Sequence, residues 1–267
     1  MIRKIFRILG SIDYYLLSFF KNRIGLNNFD IEKNGEKFIA QAFGKSVDKP
    51  IIFDVGANVG NWTELILDVN EKSCLYLFDA NPAICESLEK KFCEKNVTVT
   101  NTLVSNDDEK HDFYISESNN LSGASSMYEH YYLMGKSNKI SIESITIDAF
   151  CELNGITRID FLKADIEGAE LSMLEGAKNM IKNQSIGAIQ LEYNQTWIKA
   201  HSSLKDIFDI CEENQYKLYR IMPNALMSLD YYHYIVDDFN YQNLLMVSSE
   251  INFPVSIIKN VMPEGVY

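Results

Sequence analysis

Three groups of residues in this chain have the types and spacing to do chemistry. The first is the pair Gly56 and Gly60 in IIFDVGANVGNWT, residues 51–63, with Asp54 where the apolar run meets the turn. The second is Asp79-Ala80, which closes a second apolar run at residues 75–78. The third comprises Asp165 and Glu167 in IDFLKADIEGAE, residues 159–170, and Glu192, which follows the apolar run 186–191. Glycines that bend a strand into a helix bring backbone N–H groups up to an anionic or polar ligand. Acids at the ends of neighbouring strands suit ribose hydroxyls, cationic groups and proton transfer.

The first run is too short for a buried helix and has the length of a buried parallel strand. The helical spacing of residues 63–69 places the start of a helix near Trp62, so Gly56, Asn58, Gly60, Asn61 and Trp62 form the candidate cradle. Without Cβ atoms, the two glycines would let a cofactor approach the main chain. The turn reads G-x-N-x-G and lacks the middle glycine that a pyrophosphate needs. A carboxylate at Asp54 would repel phosphate and attract a sulfonium or an ammonium. Asp79 stands where an acid usually grips a ribose. Either acid alone could be a mere turn cap; together they indicate a nucleoside without a pyrophosphate.

D-V-G-A-N-V-G-N-W-T followed by L-F-D-A-N-P resembles the class I S-adenosylmethionine-dependent methyltransferases. With I-D-F-L-K-A-D-I-E-G-A-E, the chain looks like the FkbM-type family, which methylates hydroxyl groups of sugars and polyketides. The resemblance runs from about residue 51 to residue 194. One departure is Asp79-Ala80, where the family more often has a longer glutamate and a proline. The resemblance implies an α/β, Rossmann-like, seven-stranded sheet with helices on both faces and an antiparallel C-terminal strand pair. It also implies S-adenosylmethionine as methyl donor, released as S-adenosylhomocysteine, with Asp79 and Ala80 at the ribose. In such a fold the third strand, residues 97–104, ends near the adenine, so Ser105 or Asn106 would bond the base edge. Read without the resemblance, S-N-D-D is simply a good turn.

On this fold Asp165, Glu167 and Glu192 follow adjacent strand ends and converge near the transferred methyl group. One of them, its pKa raised by its neighbours, could be the general base. The group could instead hold a divalent cation that acidifies the acceptor. Glu167 could also do no more than complement the dipole of the helix it begins. Of four histidines, His111, His130, His201 and His233, only His130 and His201 are placed to serve as a base.

Net charge is −12, which argues against a nucleic-acid partner. Residues 1–24 run the other way, with Arg3, Lys4, Arg7, Lys21 and Arg23 against Asp13, a net +4. Their apolar residues fall at helical spacing, and the uncharged run 14–20 is too short to span a bilayer. Two readings follow: a helix against the catalytic domain or a second subunit, or an amphipathic helix on an anionic membrane face. The chain divides into an N-terminal helical extension, 1–45, and a methyltransferase domain, 46–267, with polar residues 27–44 as the connection. Five scattered cysteines without a C-x-x-C pair point to a reduced, cytoplasmic setting, peripheral to the inner membrane if the helix binds there.

The remaining pattern alternates strand and helix. Helices are expected from Pro82 to about residue 93, from Asp148 as cap to Gly155, from Gly168 with Ala169, Met173, Ala177 and Met180 on one side, and over 203–212. Further strands are expected at 112–115, 140–147, 159–162, 216–221 and 243–248. The loop 119–126 leads into Tyr128, His130, Tyr131 and Tyr132 and would make either a lid over a sugar or a surface excursion. The expected acceptor is a small molecule or glycan hydroxyl, on capsule, lipopolysaccharide or another glycan. The alternatives are a nicotinamide-dependent Rossmann oxidoreductase, against which the missing glycine counts, and a non-catalytic nucleoside-binding module.

Overall fold

The apolar runs of the central chain become parallel strands of one sheet. In the computed structural model, which describes residues 25–116, 125–129 and 136–259, the chain opens with α1 (Glu36–Gly44), β1 (Ile51–Val55), α2 (Asn61–Val69), β2 (Cys74–Asp79) and α3 (Pro82–Lys91). There follow β3 (Val97–Asn101), β4 (Leu103–Val104), β5 (Lys110–Ser116), β6 (Ser137–Ile145), α4 (Ile147–Asn154) and β7 (Ile159–Ala164). The remainder is α5 (Glu170–Gly176), α6 (Lys178–Lys182), β8 (Ile186–Tyr193), α7 (Thr196–Lys199), α8 (Leu204–Glu213), β9 (Tyr216–Met222), β10 (Ala225–Ser228), β11 (Gln242–Ser248) and β12 (Ile257–Ile258). The helix expected over residues 1–24, with its membrane or subunit contact, lies outside the described residues. So do most of the loop 119–126 and His130, Tyr131 and Tyr132.

The main sheet runs β3-β2-β1-β7-β8-β11-β9-β10-β12. Strands β3, β2, β1, β7 and β8 are parallel, and β11 inserts antiparallel between β8 and β9. That antiparallel pair is present as expected, but β10 and β12 lie beyond it. The described sheet nevertheless has nine strands rather than seven. The two-residue turn after Met222 returns the chain as β10 on β9, and β12 pairs with β10.

Successive strand residues point to opposite faces, and both faces are buried. One face packs Ile52, Leu75, Leu77, Phe161 and Ala188 under Ile39, Phe43 and Trp62. At the C-terminal end of this same face apolar residues give way to polar ones. Asp54 lies beside Lys163 and Lys163 beside Gln190, while Glu192 pairs with Asn243. Register alone therefore gathers charge at one end of the sheet.

Four expectations change. The polar connection 27–44 contains α1, because Ile39 and Phe43, one turn apart, bury against Phe161 and Phe253; the Phe43 and Phe161 rings are 4.9 Å apart. The third strand breaks at Thr102, whose N–H donates to Asp79 O and whose hydroxyl donates to Glu143 O at 2.9 Å. Its last two residues, β4, join a second sheet of order β4-β6-β5. Asp148 does not cap its own helix: Thr146 accepts the Ala149 N–H, and Asp148 accepts from Asn179 and Met180, holding α6. Gly155 ends α4 at φ +65°, as expected. The helix expected from Gly168 starts at Glu170 and breaks at Ala177. Its stripe is core, with Ala169, Met173 and Ala177 buried. No helix among the described residues is long and apolar enough to cross a membrane.

Candidate active site

The turn after β1 is stitched to the end of β2. Gly56 and Ala57 donate to Phe78 O at 2.9 and 3.2 Å, and Asn58 N–H donates to Asp79 Oδ2 at 3.0 Å. Asn81 N–H donates to Asp79 Oδ1 at 2.8 Å. Burial pushes the Asp79 carboxyl up to about 6, against these two donors. Asp79, Ala80, Ile84, Leu103 and Phe113 line a narrow pocket of about 80 Å³. Neither Ser105 nor Asn106 reaches it. Ser105 is buried with its carbonyl against Gly176, and Asn106 donates to Glu175 Oε2 at 2.8 Å. The break at Thr102 is the physical reason, since it presents Thr102, Leu103 and Val104 to the pocket instead.

The glycines serve the chain itself. Gly56 sits at φ +78°, and a Cβ there would stand 2.0 Å from Asp165 O. Gly60, at φ +79°, would put a Cβ 2.7 Å from Phe92 Cε2. The chain itself thus needs both glycines, for the close contacts with the β7 loop and with Phe92, and Gly56 also lines both cavities.

Asp54 also departs from expectation. It is fully buried, lies on neither cavity wall, accepts the Thr63 hydroxyl at 2.7 Å and stands 3.6 Å from Lys163 Nζ. The cation it faces is Lys163, not a ligand. Burial opposes the Lys163 charge, but Asp165 at 3.2 Å, Asp54 and Glu36 outweigh it, and the lysine pKa is raised.

Asp165, Glu167 and Glu192 stand on one wall of a cleft of about 720 Å³. Their loop is held by Glu170, buried, which accepts the N–H groups of Ile166 and Gly168, both at 2.9 Å. This grip sustains a left-handed backbone at Glu167, φ +52°. Asn194 Nδ2 donates to Glu192 Oε1 at 2.5 Å and approaches Glu167 Oε2 at 3.5 Å. Burial, then the charges of Asp165 and Glu170, lifts Glu167 to about 8. Burial, then Asp165 and Glu167, raises Glu192 well above an ordinary carboxyl. Among the described residues no three His, Cys, Asp or Glu side chains come together as a metal-ion cage.

Asn61 and Trp62 also line the cleft, the indole stacked on Phe161 at 5.5 Å. Trp62 Nε1 and Asn58 Oδ1 are buried without a hydrogen-bond partner. None of the described histidines lines either cavity: His111 bonds Asp107 at 2.6 Å, and His233 Nδ1 accepts from Ile235. His201 likewise lies off both walls, in a turn after α7, and His130 is outside the described residues.

The two cavities share Gly56, Asn58 and Asp165 as a common wall. Asp79 lies on one side and, among the described residues, a carboxyl cluster with one lysine on the other. That donor set, with one orphaned buried polar atom on the shared turn and another on the helix that follows it, fits a nucleoside carrying extra positive charge. Residues 54–218 match the family described as Methyltransferase FkbM domain. The chain belongs to the FkbM methyltransferase family.

A curated relative, 2-O-methyltransferase NoeI of Sinorhizobium fredii (strain NBRC 101917 / NGR234), is 24% identical over 173 residues, 60% of this chain and 70% of its own. Similar solved structures are distant. Precorrin-6y C5,15-methyltransferase from Geobacter metallireducens GS-15 has TM-score 0.42 and 11% identity, covering 80% of this chain and 87% of that one. M. capricolum TrmK in complex with S-adenosyl-homocysteine has TM-score 0.40 and 15% identity, covering 85% and 72%. Membership of the FkbM family displaces the nicotinamide reading.

Several residues of this FkbM-family site were not legible as such. One is Lys163, which shares a face with the expected Asp165 two positions on, a spacing that could have been read. Asn194 follows Glu192 by the same two positions. Glu36 and Tyr241 reach the cleft from outside the matched region, and nothing in their local sequence announces it.

Proposed function

We propose that this chain transfers the methyl group of S-adenosylmethionine to a hydroxyl of a sugar or related metabolite, such as a unit of capsule, lipopolysaccharide or another glycan. The observation that carries this reading is the wall shared by the two cavities, with Asp79 on one side and Glu192 and Glu167 on the other. The name of the NoeI relative supports oxygen as the methylated atom. When bound, the donor supplies an electrophilic methyl group on a sulfonium. Asp79 accepts the ribose hydroxyls, while Leu103 and Ile84 cover the base. The free N–H groups at the start of α2, near Asn61, bind the amino-acid carboxylate.

Lys163 is the cation held among Asp54, Asp165 and Glu36, so the positive charges of the donor offset acids that otherwise keep protons. Glu192 accepts the acceptor proton as the methyl leaves, and Asn194 holds it against Glu167 in the required orientation. A divalent cation on Asp165 and Glu192 would be a different route to the same deprotonation, and a chelator distinguishes the two. All five cysteines are unpaired, in keeping with the reduced, cytoplasmic setting proposed for the enzyme. The basic stretch 1–24 belongs to the same proposal as a membrane or subunit contact.

The test is transfer of labelled methyl from S-adenosylmethionine to the envelope glycan fraction of cells lacking this gene. The wild type should label that fraction with or without EDTA, and Glu192→Gln should not. Labelling confined to other cell fractions contradicts the reading, and loss of label with EDTA assigns deprotonation to a metal.

A further inference from the structure

Two pieces of chain outside the matched family region close the cleft on the side facing Glu192. One is the approach to α1, with Asn27, Phe29 and Glu36; the other is Phe239 to Tyr241, leading into β11. They are fastened to each other. Asn27 N–H donates to Tyr241 O at 2.9 Å, and Tyr241 N–H donates to Asn27 Oδ1 at 3.0 Å. Asn34 Nδ2 donates to Glu36 Oε2 at 2.7 Å and to the Tyr241 hydroxyl at 3.2 Å, and Gln190 Nε2 donates to Glu36 Oε1 at 2.9 Å. The wall is a built one, with Asn34, Glu36 and Tyr241 all buried.

On this wall an aromatic ring is left open. Phe29 is 75% exposed, and its ring centroid lies 4.2 Å from that of buried Tyr241. A large ring held on a rigid neighbour at a cleft mouth offers a flat apolar face to the C–H side of a sugar. The charge of the cleft narrows the choice further. Among the described residues four carboxyls line it, Glu36, Asp165, Glu167 and Glu192, against one cation, Lys163. That lysine is already ion-paired with Asp165 at 3.2 Å and lies 3.6 Å from Asp54. Among the described residues of the cleft, an incoming carboxylate or phosphate would lose its water and meet no unpaired cation.

We propose that the Phe29–Tyr241 wall, in a cleft lined by carboxyls, selects an acceptor sugar ring that bears no anionic group. This rests on the methyltransferase reading of the same cleft and adds to it the charge class of the acceptor and the residue that stacks on it. Phe29 is a specificity-determining residue here and takes no part in proton transfer. A hydroxyl of the ring faces Glu192, and the apolar ring face lies on Phe29.

The experiment uses the full chain with S-adenosylhomocysteine present and reads saturation-transfer NMR on methyl glycosides of glucose, galactose and mannose and on methyl glucuronide and galacturonide. At least one neutral glycoside should receive saturation, the two uronides should receive at most a tenth as much, and Phe29→Ala should cut the neutral signal at least fivefold. Phe29 is on the surface, so the variant folds, and its thermal shift with S-adenosylhomocysteine should match the wild type. Uronide signals equal to the neutral ones, no signal from any neutral glycoside, or an undiminished signal in Phe29→Ala each overturn the proposal. Absence of any shift with S-adenosylhomocysteine in the wild type overturns the methyltransferase reading instead.

Discussion

Asp79 Oδ2 accepts the backbone N–H of Asn58 at 3.0 Å, which fastens the end of one strand to the turn after its neighbour. The carboxyl therefore has two tasks, since its other oxygen accepts from Asn81 at 2.8 Å. Asp79→Asn turns an amide NH2 toward one of these donors and weakens the acceptors offered to a ribose. The affinity for S-adenosylhomocysteine should fall at least tenfold, about 1.4 kcal/mol. The melting temperature should fall by a few degrees, as expected for a loss of about 1 kcal/mol. Calorimetry and thermal denaturation check both. In the wild type, affinity should also weaken as pH falls below about 6, where Asp79 takes up a proton.

Lys163→Met removes the cation between Asp54, Asp165 and Glu36. Leaving those acids without it should cost about 3–5 kcal/mol. Glu36 and Asp54, already pushed up by burial, would then hold protons still more strongly, so the variant should recover much of its stability as pH falls from 8 to 5.5. A melting temperature that rises no more than that of the wild type over this interval would argue against the pairing.

The wild type itself should lose stability as pH rises from about 4 to about 8. Glu167 and Glu170 are pushed up to about 8 and Asp79 to about 6 by burial, so the folded chain keeps protons that the unfolded chain has released. Above the unfolded values, stability therefore declines until the folded groups have ionised, by about 1.4 kcal/mol per pH unit for each group still protonated. Denaturant midpoints at pH 5.5 and 8 read this directly.

Glu192→Gln should reduce methyl transfer by about 10²–10⁴-fold while S-adenosylhomocysteine affinity changes little. The wild-type rate should rise with pH through an apparent pKa that belongs to Glu192 and Glu167 together, since Asn194 joins them. Turnover of Glu192→Gln within threefold of wild type would remove it from the mechanism.

The two glycines of the turn should respond differently. Gly56→Ala drives a Cβ into a backbone oxygen, Asp165 O, and should cost on the order of 2–4 kcal/mol along with ligand binding. Gly60→Ala meets the rim of the Phe92 ring and the end of Leu88, both able to shift, and should cost about half as much. Paired denaturation curves give the comparison.

What could be read from sequence was what local pattern controls. The apolar runs of β1, β2, β7 and β8 are continuous because both faces of a parallel sheet are buried, and their ends bring Asp79, Asp165 and Glu192 to the cavity walls. The break at Thr102 was hidden because residues 97–104 keep their alternation while the chain changes sheets, and this moved Ser105 and Asn106 off the pocket. Asp54 was read as facing a ligand because its partner, Lys163, comes from a strand over a hundred positions away. Glu36 and Tyr241 belong to the cleft through packing that only the folded sheet creates.

The most direct test of the central claim is a calorimetric titration of S-adenosylhomocysteine into the full chain, with Asp79→Asn alongside. Saturable one-to-one binding by the wild type, weakened at least tenfold in the variant, is the result expected of a nucleoside pocket built on Asp79. No heat from a protein that still unfolds cooperatively, or equal affinity in the two proteins, would contradict it.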